Sequence, residues 1–160
     1  MSDNSTEESL IQKETLAEGI EELRYAFLYL KHGWPVFPVG WDAIKKSWKM
    51  PLVKWKRYQT ELPTEADIRG WWQQWPQARV GVVTGKLSGL VVVDIDPHKG
   101  GSSEGLDLPA TLISKTGGGG WHYLYRHPGG DHHIPDVTDW PCRGVDIRGD
   151  GGFIVAPPSL

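Results

Sequence analysis

From Arg79 onward the chain is cut by glycine into short hydrophobic runs. "RVGVVTG", "GLVVVDID", "TLISKTG", "WHYLYRH", "GVDIR" and "GFIVAPP" each hold enough β-branched and aromatic residues for one strand, with turn residues after it. The first half is different. Between about Leu10 and His32, Leu16, Ile20, Leu23, Phe27 and Leu30 recur at helical spacing, and Gly33 is a C-terminal stop. "TEAD" at Thr64 opens a second helix with a carboxylate at its third position, and Pro76 ends it. Between the helices, "WPVFPVG" is expected to be a strand that Pro35 and Pro38 keep irregular or at an edge. Helices first and strands later predict an α+β domain with an antiparallel or mixed sheet.

A chain of 160 residues suits one domain with a sizeable core. Residues 1–9 are polar and are expected to form a disordered tail, leaving residues 10–160 as the domain. The stop just after a strand and a Pro-Pro turn suggests a fragment of a longer protein. A net charge of −3 gives no bulk attraction to nucleic acid, so any basic surface must be local. One stretch qualifies: residues 41–62 set Lys45, Lys46, Lys49, Lys54, Lys56 and Arg57 among Trp41, Trp48, Trp55 and Tyr58. The nine tryptophans are core anchors or stacking platforms for bases, and packing is favoured. A lone Cys142 excludes an intramolecular disulfide and fits a reducing compartment. With no membrane-length apolar run and no signal peptide, a cytoplasmic location is expected.

"VVVDIDPHKG" places Asp94 and Asp96 on one face of a strand, because side chains alternate. Two carboxylates about 4 Å apart repel by roughly 4 kcal/mol at an effective dielectric near 20. The pair reads as a solvent-facing strand end opening an Asp-Pro turn, as two acids sharing a proton, or as a divalent-metal site. Downstream, "SKTGGGGWHYLY" is either a loose hairpin turn or a loop whose free amides approach an anion. Lys115, Thr116 and His122 add a charge, a hydroxyl and an imidazole, which suits a polyphosphate. In "GVDIRGDGG", Asp146 and Arg148 share a face opposite Val145 and Ile147. Asp146 would complete a site for two metals, and Arg148 suits phosphate. Asp150 falls in the following turn and is expected to bond its own backbone in a structural role.

Taken in order, "GW-VFPV", "SGLVVVDID", "TG-GG-H" and "GVDIRGDGGFIVAPPS" resemble the bifunctional primase–polymerase domain. That is a branch of the archaeo-eukaryotic primase superfamily found in plasmid, phage and prophage replication proteins. The resemblance runs from about residue 20 to the end. It implies a primase core, with an RRM-like sheet packed against an N-terminal α/β module, and a nucleotidyltransferase that makes primers or extends DNA. It assigns Asp94, Asp96 and Asp146 to Mg²⁺ or Mn²⁺ in a two-metal site and His122 to the incoming nucleotide. Lys115, Thr116 and Arg148 would help hold the triphosphate. Single-stranded DNA, dNTP or NTP, and a helicase domain in the same or a neighbouring chain are the implied partners. Lys45, Lys46, Lys54 and Arg57 are the candidate template contacts. Structural zinc at His127, His132, His133 and Cys142 is not expected, because one cysteine makes a poor zinc set. Two other classes remain: a D-x-D glycosyltransferase, which needs a run of βα units before the acids, and a non-catalytic RRM-like single-strand binder.

Overall fold

The computed structural model describes residues 4–159. All six glycine-bounded runs are strands: β3 (Arg79–Val83), β4 (Leu90–Ile95), β5 (Leu112–Lys115), β6 (Trp121–Arg126), β7 (Val145–Arg148) and β8 (Phe153–Val155). Before them come helix α1 (Asn4–Lys31), strands β1 (Val36–Asp42) and β2 (Ser47–Pro51), and helix α2 (Glu65–Gln74). The strands form two antiparallel four-stranded sheets, ordered β2-β1-β3-β8 and β5-β6-β4-β7. The fold class is therefore α+β.

α2 starts as its sequence predicts. The Thr64 side chain accepts the Asp67 N–H while Asp67 accepts the Thr64 N–H, a reciprocal capping box. α1 runs from Asn4, six residues before the start read from the apolar periodicity, and residues 1–3 lie outside the described residues. Its periodic residues divide in two. Leu23, Phe27 and Leu30 pack on the core around Ala26, whereas Leu16 and Ile20 are exposed. Gly19 marks where contact begins: a Cβ there would stand 2.2 Å from the Pro76 carbonyl oxygen.

β1 departs from expectation. It is an interior strand between β2 and β3, although Pro38 pairs with Val80 in its middle. A proline in a central strand normally loses a ladder bond. Here the missing donor faces the β2 side, one residue beyond the end of β2, where Leu52 still donates to the Pro38 carbonyl at 3.0 Å. β2 itself lies in the basic, tryptophan-rich stretch. One core joins both sheets and both helices, with Val36, Val80 and Val82 meeting Leu90, Val92, Ile68 and Trp72. Most tryptophans serve packing: Trp72 is buried, and Trp55 stacks on Phe37 with ring centroids 5.4 Å apart. β3 and β4 are joined by a tight turn, with Gly85 bridged to Leu90. Among the described residues one helix, α2, follows a strand before the acids, and the strands around it pair antiparallel, so the run of βα units a glycosyltransferase requires is not found there.

Buried Glu22 ties α1 to the C-terminal segment. Its carboxylate accepts the Val80 N–H at 3.0 Å and the Ser159 hydroxyl at 2.8 Å. Burial pushes this carboxyl up from 4.5 to about 6, against the pull of Ser159, Val80 and the Arg79 charge. Because the folded-state value is the higher one, the contribution of Glu22 is full below about 4.5 and is lost as pH rises through about 6. Glu22→Gln keeps an acceptor and drops the charge. In thermal unfolding it should match the parent near pH 4.5 and gain on it by about 1 kcal/mol at pH 8. An equal loss at both pH values would mean that the carboxylate's hydrogen bonds outweigh its burial.

Candidate active site

Register across the second sheet decides which side chains meet. Asp94 pairs with His122 on one side and with Asp146 on the other, and His122 pairs with Ser114. Directly opposed residues point to the same face, so Ser114, His122, Asp94 and Asp146 form one row across β5, β6, β4 and β7. On the opposite face Val93, Ile95 and Val145 form a small apolar core with Tyr123, Tyr125 and Ile147 around it. The alternation read from "GVDIR" thus holds. Arg148, opposite Val92, stands on the acid face.

Asp94, Asp146 and His122 are all buried. His122 Nε2 lies 3.4 Å from Asp94 Oδ1, and His122 Nδ1 has no hydrogen-bond partner among the described residues. Burial pushes the Asp94 carboxyl up, but the His122 imidazole, Lys49 and Arg148 outweigh it and hold the group below the usual carboxylate range. Lys49, on β2, brings the first sheet's charge to this site. Asp146 is engaged at both oxygens: Oδ1 accepts the Asp139 N–H at 2.9 Å, and Oδ2 accepts from Arg148. Arg148 also reaches Asp136 Oδ2 at 3.4 Å. Burial raises the Asp136 carboxyl and the Asp146 charge adds to that, against the pull of Arg148.

Other expected residues stand further off. Asp96 caps the short 3-10 turn Pro97–Lys99, where its Oδ1 accepts the His98 N–H at 3.0 Å and its Oδ2 lies 3.8 Å from Lys99 Nζ. Lys115 pairs with Trp121, one residue out of phase with His122, and so belongs to the face away from the acids. The glycine loop is a hydrogen-bonded turn in which, among the described residues, only the Gly117 and Gly118 amides find no protein partner. Thr116 N–H donates to the Gly120 carbonyl, Gly119 N–H to the Thr116 carbonyl, and Gly120 N–H to the Thr116 hydroxyl, each at 2.9 Å. Gly120 is glycine for a steric reason, since a Cβ would stand 2.3 Å from the Ile95 carbonyl oxygen. Lys45 and Lys46 occupy the exposed β1–β2 turn, Lys54 precedes the 3-10 turn Trp55–Gln59, and Arg57 is paired with Glu61.

The donors present suit a hard divalent cation in chemistry. Asp94 and Asp146 face each other across adjacent strands, with the Arg148 guanidinium beside both. Among the described residues, no three metal-ligating side chains converge as they stand, because Asp96 is held in its turn. Of the histidines considered for zinc, His127 Nε2 and His133 Nδ1 both meet Asp150 Oδ2, at 3.2 and 3.0 Å, while Cys142 is exposed.

Residues 26–160 match the Prim-Pol family, described as bifunctional DNA primase/polymerase, N-terminal. The chain belongs to that family. At the family level it is accordingly a DNA primase/polymerase, a nucleotidyltransferase. No curated protein matches the chain. Among the described residues of this Prim-Pol chain, no helix is long and apolar enough to cross a membrane.

Sequence reasoning passed over three neighbours of the acids: Ser114, Asp136 and Asp139. Ser114 is legible in hindsight from its distance to the hairpin turn. The other two lie in the 127–144 connection, where nothing local marks them. Asp150 is structural, but its partners are remote. It accepts the N–H groups of Lys86 and Ile134, at 2.9 and 3.0 Å, and meets His127. An Asn nitrogen would oppose one of those N–H donors. Asp150→Asn is therefore expected to cost about 1–3 kcal/mol in urea unfolding. A variant as stable as the parent would mean that these bonds are replaced by solvent.

Proposed function

We propose that the chain is a metal-dependent nucleotidyltransferase. It starts or extends DNA chains on a single-stranded template, in the cytoplasm, during replication of a plasmid, phage or prophage. The observation that carries this reading is the row His122–Asp94–Asp146 across three strands, with Arg148 beside it on the same face. A non-catalytic single-strand binder has no use for buried carboxylates, which repel phosphate.

In this reading Asp94, Asp96 and Asp146 hold two ions of Mg²⁺ or Mn²⁺, with Asp96 released from its turn. A metal held there would supply the positive charge that offsets the carboxylates and the attacking and leaving oxygens of phosphoryl transfer. His122, beside Asp94, is the contact for the incoming dNTP or NTP; its unpartnered Nδ1 is buried and must first be uncovered. Thr116 and Arg148 add a hydroxyl and a guanidinium for the triphosphate, and Lys115, on the far face, is left out. Lys45, Lys46 and Lys54 track template phosphates, and Arg57, paired with Glu61, adds least. A helicase domain in the same or a neighbouring chain would supply the single strand.

The test is incorporation of labelled nucleotide on primed and unprimed single-stranded DNA across a Mn²⁺ titration. Asp94→Asn and Asp146→Asn should each lower incorporation by about 10²-fold or more, the several kcal/mol expected of a metal at the transition state. Parent-like rates in either variant would remove the metal reading. For the template, Lys45→Ala with Lys46→Ala should flatten the log–log salt dependence of single-strand binding by about 0.7 per lost contact. An unchanged slope would make the β1–β2 turn a solvated surface.

A further inference from the structure

Arg148 answers to three carboxylates at once. Its Nη2 bonds Asp146 Oδ2 and lies 3.9 Å from Asp94 Oδ2, while its Nη1 lies 3.4 Å from Asp136 Oδ2. A planar guanidinium can do this because its nitrogens point along different directions of one fork. Asp136 is not loosely placed. Its neighbours Pro135 and Val137 bridge to Asp150 and Ile147, so its backbone lies along the strand that carries Arg148. Its Oδ1 fills space that a Cβ on Gly152 would enter, at 2.2 Å. Against the three acids stand this guanidinium and, from the other sheet, Lys49, so the cluster keeps a negative surplus that attracts a cation.

Two facing carboxylates this buried cannot stand unpaired. We propose that Arg148 is the resident counter-cation of Asp94 and Asp146, and that Asp136 is its second berth. When a divalent cation enters between Asp94 and Asp146, the guanidinium gives up those oxygens and stays beside the site on Asp136. Its freed Nη2 is then the donor that meets the triphosphate, so metal entry prepares the nucleotide's phosphate contact. Asp136 is thus a positioning residue that acts through Arg148. This rests on the metal reading given above and adds an exchange to it.

The experiment measures Mn²⁺ binding by calorimetry, without nucleotide or DNA, in the parent, Arg148→Gln, Asp136→Asn and the double variant. Arg148→Gln should melt at a lower temperature in chelator yet bind Mn²⁺ about fivefold tighter or more, since its competitor is gone. Asp136→Asn should weaken Mn²⁺ binding by a similar factor, because the guanidinium then has nowhere to retire. Plain field effects predict those two signs as well, so the double variant decides. If Asp136 acts through Arg148, Asp136→Asn has no further effect in the Arg148→Gln background. If it weakens binding equally in both backgrounds, the exchange is overturned. Should Arg148→Gln fail to fold, Arg148→Met carries the same comparison. A parent that binds no Mn²⁺ overturns the metal reading and the exchange together. A parent that binds, with independent variant effects, overturns the exchange alone.

Discussion

Two carboxylates face each other across β4 and β7, and both are buried. In an environment of low dielectric such a pair is tolerable only with a cation between its members or dipoles aimed at it. The chain supplies both from close by. Arg148 stands two residues along the strand from Asp146 and therefore on its face. The Asp139 N–H covers one Asp146 oxygen, the His122 imidazole stands against Asp94, and Lys49 adds positive potential from the other sheet. The strands themselves are secured from the reverse side, where Val93, Ile95 and Val145 are packed. One face of each strand thus provides cohesion while the other carries charge.

Much of this was legible because strand periodicity is rigid. "VVVDID" and "GVDIR" each specify a face, and the faces agree once the strands pair. The same rule places Lys115 away from the acids, an odd step along β5 that the composition of "SKTGGGG" obscured. What sequence could not carry was long-range company. Asp150 looks like a turn residue, yet its bonds reach Lys86, Ile134 and His127, which the chain brings there only after folding. β2 was hidden because "SWKMP" has one strand partner and lysine exposed to water, so its hydrophobic alternation is weak. Pro38 misled in the opposite way: whether proline disrupts a ladder depends on what stands beside its nitrogen, and here the neighbouring strand has already ended.

The connection between the sheets matters as much as either sheet. β3 and β4 are consecutive strands joined by a tight turn, yet they belong to different sheets. Thr84 donates to the Gly149 carbonyl at 2.7 Å, and Asp150 accepts the Lys86 N–H, so the β3–β4 turn is clasped by the turn that follows β7. That clasp fixes the start of β4, and with it the height at which Asp94 meets His122 and Asp146. Lys49 on one sheet can act on Asp94 of the other only while this junction keeps its shape.

Cross-strand pairing also determines where the chain can accept extra residues. Within the connections, exposed stretches such as 102–105 and 130–132 lie clear of the site and of its strand pairing, and lengthening such a loop costs only a slowly growing closure entropy. An added residue inside β4, β6 or β7 does something different in kind. It reverses every side chain beyond it, sending a carboxylate or the imidazole through to the apolar side and a valine or tyrosine to the charged one. Length variation in chains built this way should therefore be confined to the connections, with the spacing inside the three strands held to the residue.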